Sequence, residues 1–148
     1  IEWQGTDNTY GSRHYVQAAQ KSGSIKSLRA LILLDMIGDR QLTIRRELNS
    51  TRWLTDIVWA TAAKLGHKQF MNEETTVEDD HIPFVKAGVP SLDIIDLDYP
   101  QWHTAQDDLD HVAAGHLGLL LPDQLRGSES FSSSILCGDS RANSTPYI

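Results

Sequence analysis

Three short stretches carry residue types that do chemistry: Asp35 within Leu33-Leu34-Asp35-Met36-Ile37, the pair Asp79-Asp80 followed by His81, and the run Asp98-Tyr99-Pro100-Gln101-Trp102-His103-Thr104. Each lies inside or just past an apolar segment, the setting in which a metal-dependent hydrolase or transferase keeps its acids and imidazoles. A carboxylate among Leu33, Leu34, Met36 and Ile37 is costly to bury unless paired or metal-bound, although an Asp at a solvated strand end, or one capping a loop, fits the same spacing. His103 stands between Trp102 and Thr104. There an imidazole can bind zinc while the indole shields one side, and a structural loop histidine is the plain alternative. Asp107 and Asp110 follow closely enough to orient that ring, as carboxylates behind a metal ligand do. Of Asp79 and Asp80, one suits the N-cap of a helix opened by Ile82-Pro83-Phe84, and the other is then free to share a proton with Asp35.

The chain that positions these residues has 148 amino acids, 40% hydrophobic and 22% charged, the profile of one globular domain. Apolar stretches such as 30–34 and 117–121 fall far short of the roughly 20 residues that span a bilayer. A net charge of -7 argues against nucleic acid as the main partner, and the Arg residues from Arg29 to Arg52 read as a solvated face. Cys137 is the only cysteine, so no internal disulfide and no thiolate zinc cage can form, and any metal is held by His and carboxylates. The start at Ile1 leads to the expectation that these residues are the C-terminal portion of a longer protein.

Helical and strand patterns alternate. Residues 11–20 predict a helix closed by Ser22-Gly23-Ser24, and 28–37 is a continuous apolar run ended by Gly38 that suits a strand buried on both faces. Residues 42–46 alternate as a short second strand nearer an edge. Asn49-Ser50-Thr51 offers caps for a helix through Leu65, stopped by Gly66. After the acidic segment 73–80 come a short helix over 81–87, a turn at Gly88, a strand over 90–97 and a last helix from about Asp108 to Leu121. The expected fold is α/β, a mixed, largely parallel sheet flanked by helices. Residues 1–121 are expected to be the C-terminal portion of a catalytic domain, and 122–148, Ser- and Gly-rich and without periodicity, a disordered or aberrant tail.

Several motifs occur together and in order: Glu2-Trp3, Tyr10-Gly11-Ser12-Arg13-His14, Leu33 to Gly38, Glu78-Asp79-Asp80-His81-Ile82-Pro83-Phe84, Gly88-Val89-Pro90 and Trp102-His103-Thr104. In this the chain resembles the C-terminal half of glutaminyl-peptide cyclotransferases and, more broadly, the family 28 zinc metallopeptidases. The resemblance implies that an Asp-Gly-Glu-Glu run, with the catalytic Glu and a zinc-binding Glu, precedes the position of Trp3, and that an earlier Asp also binds zinc. It implies that His103 is the last zinc ligand and that Asp35 and Asp79 are the two acids that hydrogen-bond to each other and manage the proton. Trp3, Glu78, Tyr99 and Trp102 would line the substrate pocket. The cofactor is then zinc, one ion in a cyclase, and the substrate a peptide N-terminus. Relatives usually work outside the cytoplasm, so the same location is expected here. Tyr99 departs from the Phe common in animal cyclases, and the loop before Trp102 is shorter. The rival reading is a two-zinc aminopeptidase in which Asp35 binds the second metal; a truncated or catalytically dead binding module is the third.

Overall fold

The computed structural model describes residues 8–113. Its elements are helix α1 (Tyr10–Ser22), a 3-10 turn (Ser24–Ser27), strand β1 (Leu31–Asp35), strand β2 (Ile44–Glu47), helix α2 (Arg52–Leu65), strand β3 (Phe70–Thr75), helix α3 (Ile82–Lys86) and strand β4 (Ser91–Ile95). β1 pairs with β4 and β2 with β3, both parallel. The segment from β2 to the start of α2 lies beside β4 in the opposite direction: Thr43 N–H donates to the Asp96 side chain, Asp93 N–H to Ser50 Oγ, and Thr51 N–H to the Ser91 carbonyl. A mixed, largely parallel α/β arrangement is therefore what the chain adopts.

Residues paired in register share a face and alternate along a strand, so β1 and β4 send Leu92 and Ile94 to one side and Leu31 with Ser91 to the other. On the first side α2 packs through Leu54 and Trp59 onto Ile37, Leu42, Ile44, Leu92 and Ile94. Trp59 meets Phe70 edge-on at 5.1 Å and its Nε1–H donates to the Met71 carbonyl at 2.6 Å, tying helix to β3. On the second side Val16 of α1, Phe84 of α3 and Val89 close over Leu31 and Leu28. Fully burying an Ile or Leu such as Ile44 or Leu92 contributes about 1.5–3 kcal/mol each.

The structure corrects four expectations. β1 is shorter than 28–37, because Met36 turns into the left-handed region (φ 53) and ends it, and it is not buried on both faces, since Ile32 is 46% exposed. β2 has β3 as its one strand partner among the described residues, in a two-stranded sheet of its own, yet Ile44 and Glu47 are both buried. β3 escaped notice because Asn72-Glu73-Glu74 is exposed and polar on both faces, which leaves no alternation to read. Residues 108–113 are turns rather than a helix start. Asp108 accepts the Asp110 N–H, and the backbone of 111–113 bonds to 38–40, including a bridge between Asp39 and Val112. The remainder of that predicted helix, the 122–148 tail and Trp3 lie outside the described residues.

α2 begins and ends nearly where expected. Gly66, at φ 80, lets His67 N–H return to the Ala62 carbonyl, a turn that a side chain would strain. The predicted capping side chains are used elsewhere: Thr51 Oγ1 accepts the Ser91 N–H, and Ser50 Oγ donates to Glu47.

Candidate active site

Asp35 closes β1, and Asp79 stands in the loop leading to α3. Asp35 and Ile95 are register partners, which places Asp35 at the carboxyl end of the parallel pair, where loops leave the sheet and reactive side chains can converge. The left-handed Met36 that follows brings its own N–H to Asp35 Oδ1 at 3.0 Å. A non-glycine residue held there costs about 1–3 kcal/mol, and such strain collects at functional sites. Asp79 accepts the Asp80 N–H at 2.6 Å and is half-buried. Desolvation, with the negative charges of Asp35 and Asp80, outweighs that hydrogen bond and the pull of His81, pushing its carboxyl up to about 6. The two acids predicted to work together are thus brought within electrostatic reach. They couple through charge, each carboxylate taking the backbone N–H of the next residue.

The assignment of an N-cap to Asp79 or Asp80 needs correction. His81 is the N-cap of α3, because its side chain is drawn into the interior, while the Asp80 carboxylate accepts the Ser12 hydroxyl at 2.7 Å and pins α1 to this loop. Glu78 is exposed beside them.

The second part of the site is the turn from Tyr99 to Thr104. Trp102 N–H and Thr104 N–H donate to the carbonyls of Tyr99 and Gln101, and His103 sits in the left-handed region at φ 59. Its imidazole stacks on the half-exposed indole of Trp102 with centroids 4.2 Å apart and planes 27° apart, so the indole does cover one side of the ring. Asp107 does not orient His103; its carboxylate takes the Tyr99 hydroxyl at 2.8 Å. Desolvation and that carboxylate push the Tyr99 phenol up to about 12. The imidazole held by an acid in this region is His111, 3.0 Å from Asp108.

Zinc takes three or four protein ligands. Among the described residues no group of three or more His, Cys, Asp or Glu converges as a metal site, so residues 8–113 hold at most part of one. His103 suits such a part, being exposed, on a strained turn, and walled by an indole.

Sequence reasoning missed three buried acids. Glu47, Asp93 and Asp96 have almost no exposure. Asp93 and Asp96 carried the same signal as Asp35, an acid inside the apolar run Leu92 to Leu97. Asp96 accepts the N–H groups of Thr43 and Asp98 and so ties β4 to the turn before β2, and burial raises its carboxyl. Glu47 carried no signal, since Arg45-Arg46-Glu47-Leu48 reads as a charged surface.

An α/β sheet with acids gathered at the carboxyl end of parallel strands and a histidine on the adjoining turn defines the class. The sequence profile of peptidase family M28 matches residues 7–120, and the chain belongs to that family. It is 30% identical to a glutaminyl-peptide cyclotransferase of Boiga irregularis, over 76% of this chain and 37% of that protein. Among solved structures it is similar to an Acidobacteriales bacterium glutaminyl cyclase, with 44% identity and a TM-score of 0.75 over 78% of this chain and 43% of that one. A leucine aminopeptidase precursor from Bacteroides thetaiotaomicron matches at 30% identity and a TM-score of 0.65, over 78% and 43%. The chain spans about two fifths of the length of these relatives.

Proposed function

We propose that the protein is a zinc-dependent glutaminyl cyclase that converts an N-terminal Gln of a peptide to pyroglutamate with release of ammonia. The observation that carries this reading is the acid pair, Asp79 raised to about 6 beside Asp35. Cyclisation needs such a pair. The α-amine nitrogen forms a bond to the side-chain amide carbon, the bond to the amide nitrogen breaks, and one proton must pass from the attacking amine to the departing ammonia. A carboxyl poised between its two states near working pH can take and return that proton. His103, together with ligands outside the described residues, would hold zinc, and the bound ion would polarise the amide carbonyl. By the family resemblance Trp102, Tyr99 and Glu78 would line the substrate pocket, and an indole face suits a small planar lactam.

The similarity to an aminopeptidase precursor favours one alternative, hydrolysis of N-terminal residues with Asp35 on a second metal. Zinc counting in the full-length protein separates the two. One tightly held zinc per chain is the expected result, and two zinc ions with release of free amino acids would replace the cyclase by the peptidase.

A further inference from the structure

Glu47, His81 and Asp93 come from the end of β2, the N-cap of α3 and the middle of β4, and meet at 2%, 0% and 0% exposure. Glu47 Oε1 accepts the N–H groups of Asn49 (3.0 Å) and Val77 (3.2 Å), while Oε2 accepts the Ser50 hydroxyl (2.8 Å) and faces His81 Nε2 at 3.1 Å. Burial raises this carboxyl, but the hydrogen bonds from His81, Asn49, Ser50 and Val77 together outweigh it and hold it down to about 2. Glu47 is therefore an acceptor only, and the hydrogen at this contact belongs to His81 Nε2.

The opposite ring nitrogen, Nδ1, lies 3.4 Å from Asp93 Oδ2, and neither it nor either Asp93 oxygen has a hydrogen-bond partner. Two buried lone pairs facing each other are unfavourable, and one proton between them relieves this, whether it rests on the acid or on the ring. The trio then carries a single negative charge. Asp93 faces Asp35 from β1, Glu47 from β2, Asp79 and Asp80 from the loop before α3, and His81 itself. Burial first, then the charges of Asp79, Asp35, Glu47 and Asp80, push its carboxyl up to about 8. In register Asp93 opposes Leu33 while Asp35 opposes Ile95, so Asp93 and Asp35 stand on the same face of the sheet, two positions apart.

We propose that Glu47 and His81 are positioning residues for Asp79 and Asp35: Glu47 fixes the imidazole with its hydrogen on Nε2, one proton stays between Nδ1 and Asp93, and no second negative charge builds up beside the acid pair. This rests on Asp79 and Asp35 being the proton-handling acids of the proposed reaction.

The test uses Glu47→Gln, Asp93→Asn and the double variant in the full-length protein. A Gln side chain turns its NH2 toward His81, so the ring reverses its tautomer, accepts at Nε2, donates from Nδ1, and leaves Asp93 as the anion. Nitrogen-15 spectra of labelled histidine should place the His81 hydrogen on Nε2 in the wild type and on Nδ1 in Glu47→Gln. The acid limb of the kcat/KM profile on a Gln-peptide should rise by about one pH unit in Glu47→Gln, the size of effect a neighbouring charge produces. It should stay in place in Asp93→Asn, whose amide can donate to Nδ1 as a protonated Asp93 would, and return to the wild-type position in the double variant. A wild-type ring with no hydrogen on Nε2, or an acid limb unmoved in Glu47→Gln while kcat falls, would overturn the proposal. A wild type without turnover on Gln-peptides would instead remove the cyclase reading, and the nitrogen spectrum would still decide the tautomer.

Discussion

The two halves of the candidate site are built on opposite plans. The acid side is anchored in the interior: Asp35 ends a strand, Asp79 precedes a helix, and the row Glu47, His81 and Asp93 ties β2, α3 and β4 together out of reach of water. The histidine side is a single exposed turn, 99–104, held by backbone hydrogen bonds of its own and by the stack of Trp102 on His103. Proton affinities on the first side are set by burial and by fixed neighbouring charges. The second side offers an exposed imidazole on a strained turn. Substitutions should therefore act differently on the two: interior changes disturb stability and proton affinity together, and changes in the turn disturb metal and substrate binding alone.

The largest expected effect is on the turn. His103→Ala should abolish zinc retention and cyclase activity while changing unfolding free energy by less than about 1 kcal/mol, as exposed positions generally do. Metal analysis beside a denaturant titration reads both, and retained zinc would break the contrast. Next comes Asp35→Asn, which should lower kcat by about 10²- to 10⁴-fold, the range for loss of a proton-transfer group, with one zinc retained. Loss of a metal ion in that variant would move Asp35 to the metal side of the comparison. His81→Ala leaves Glu47 and Asp93 buried without the partner between them, and removing one member of a buried ionic set costs about 3–5 kcal/mol. A denaturant midpoint close to the wild type would show that the interior row is not the anchor described here.

The smallest effect is a slope with pH. The carboxyls of Asp79 and Asp93 are raised from the ordinary value of 3.8 to about 6 and about 8, so the native state binds more protons than the unfolded state between about 4 and 8. Stability should fall as pH rises through that window, since the native state must give up protons it holds more tightly. Glu47, lowered from 4.5 to about 2, acts in the other direction: its contribution is full above the unfolded value and is lost only as pH falls toward 2. Asp93→Asn should flatten the decline above pH 6, and unfolding curves at several pH values would reveal an unchanged slope if Asp93 is ionised at neutral pH.

The same contrast explains what the sequence disclosed. Helices α1, α2 and α3 and strands β1 and β4 were legible because each buries an apolar stripe or run, and Gly66 marked a true stop. The acid pair and the indole beside His103 were legible through short motifs. β3 was hidden because it exposes polar side chains on both faces. The last helix was misplaced at its start because Asp108 and His111 form a side-chain-closed turn that periodicity does not report. Glu47 was invisible for a deeper reason. Its neighbours Arg45 and Arg46 point to Asp98 and Asp56 near the surface, while Glu47 turns inward to partners 30 and 34 residues away, Val77 and His81. Long-range pairing of this kind leaves no trace in local spacing.

Product analysis tests the central claim most directly. The full-length protein, loaded with zinc and given a peptide beginning with Gln, should release one ammonia for each peptide converted and leave the peptide chain intact with a pyroglutamyl N-terminus. Free glutamine and a shortened peptide would contradict the account and assign the site to hydrolysis.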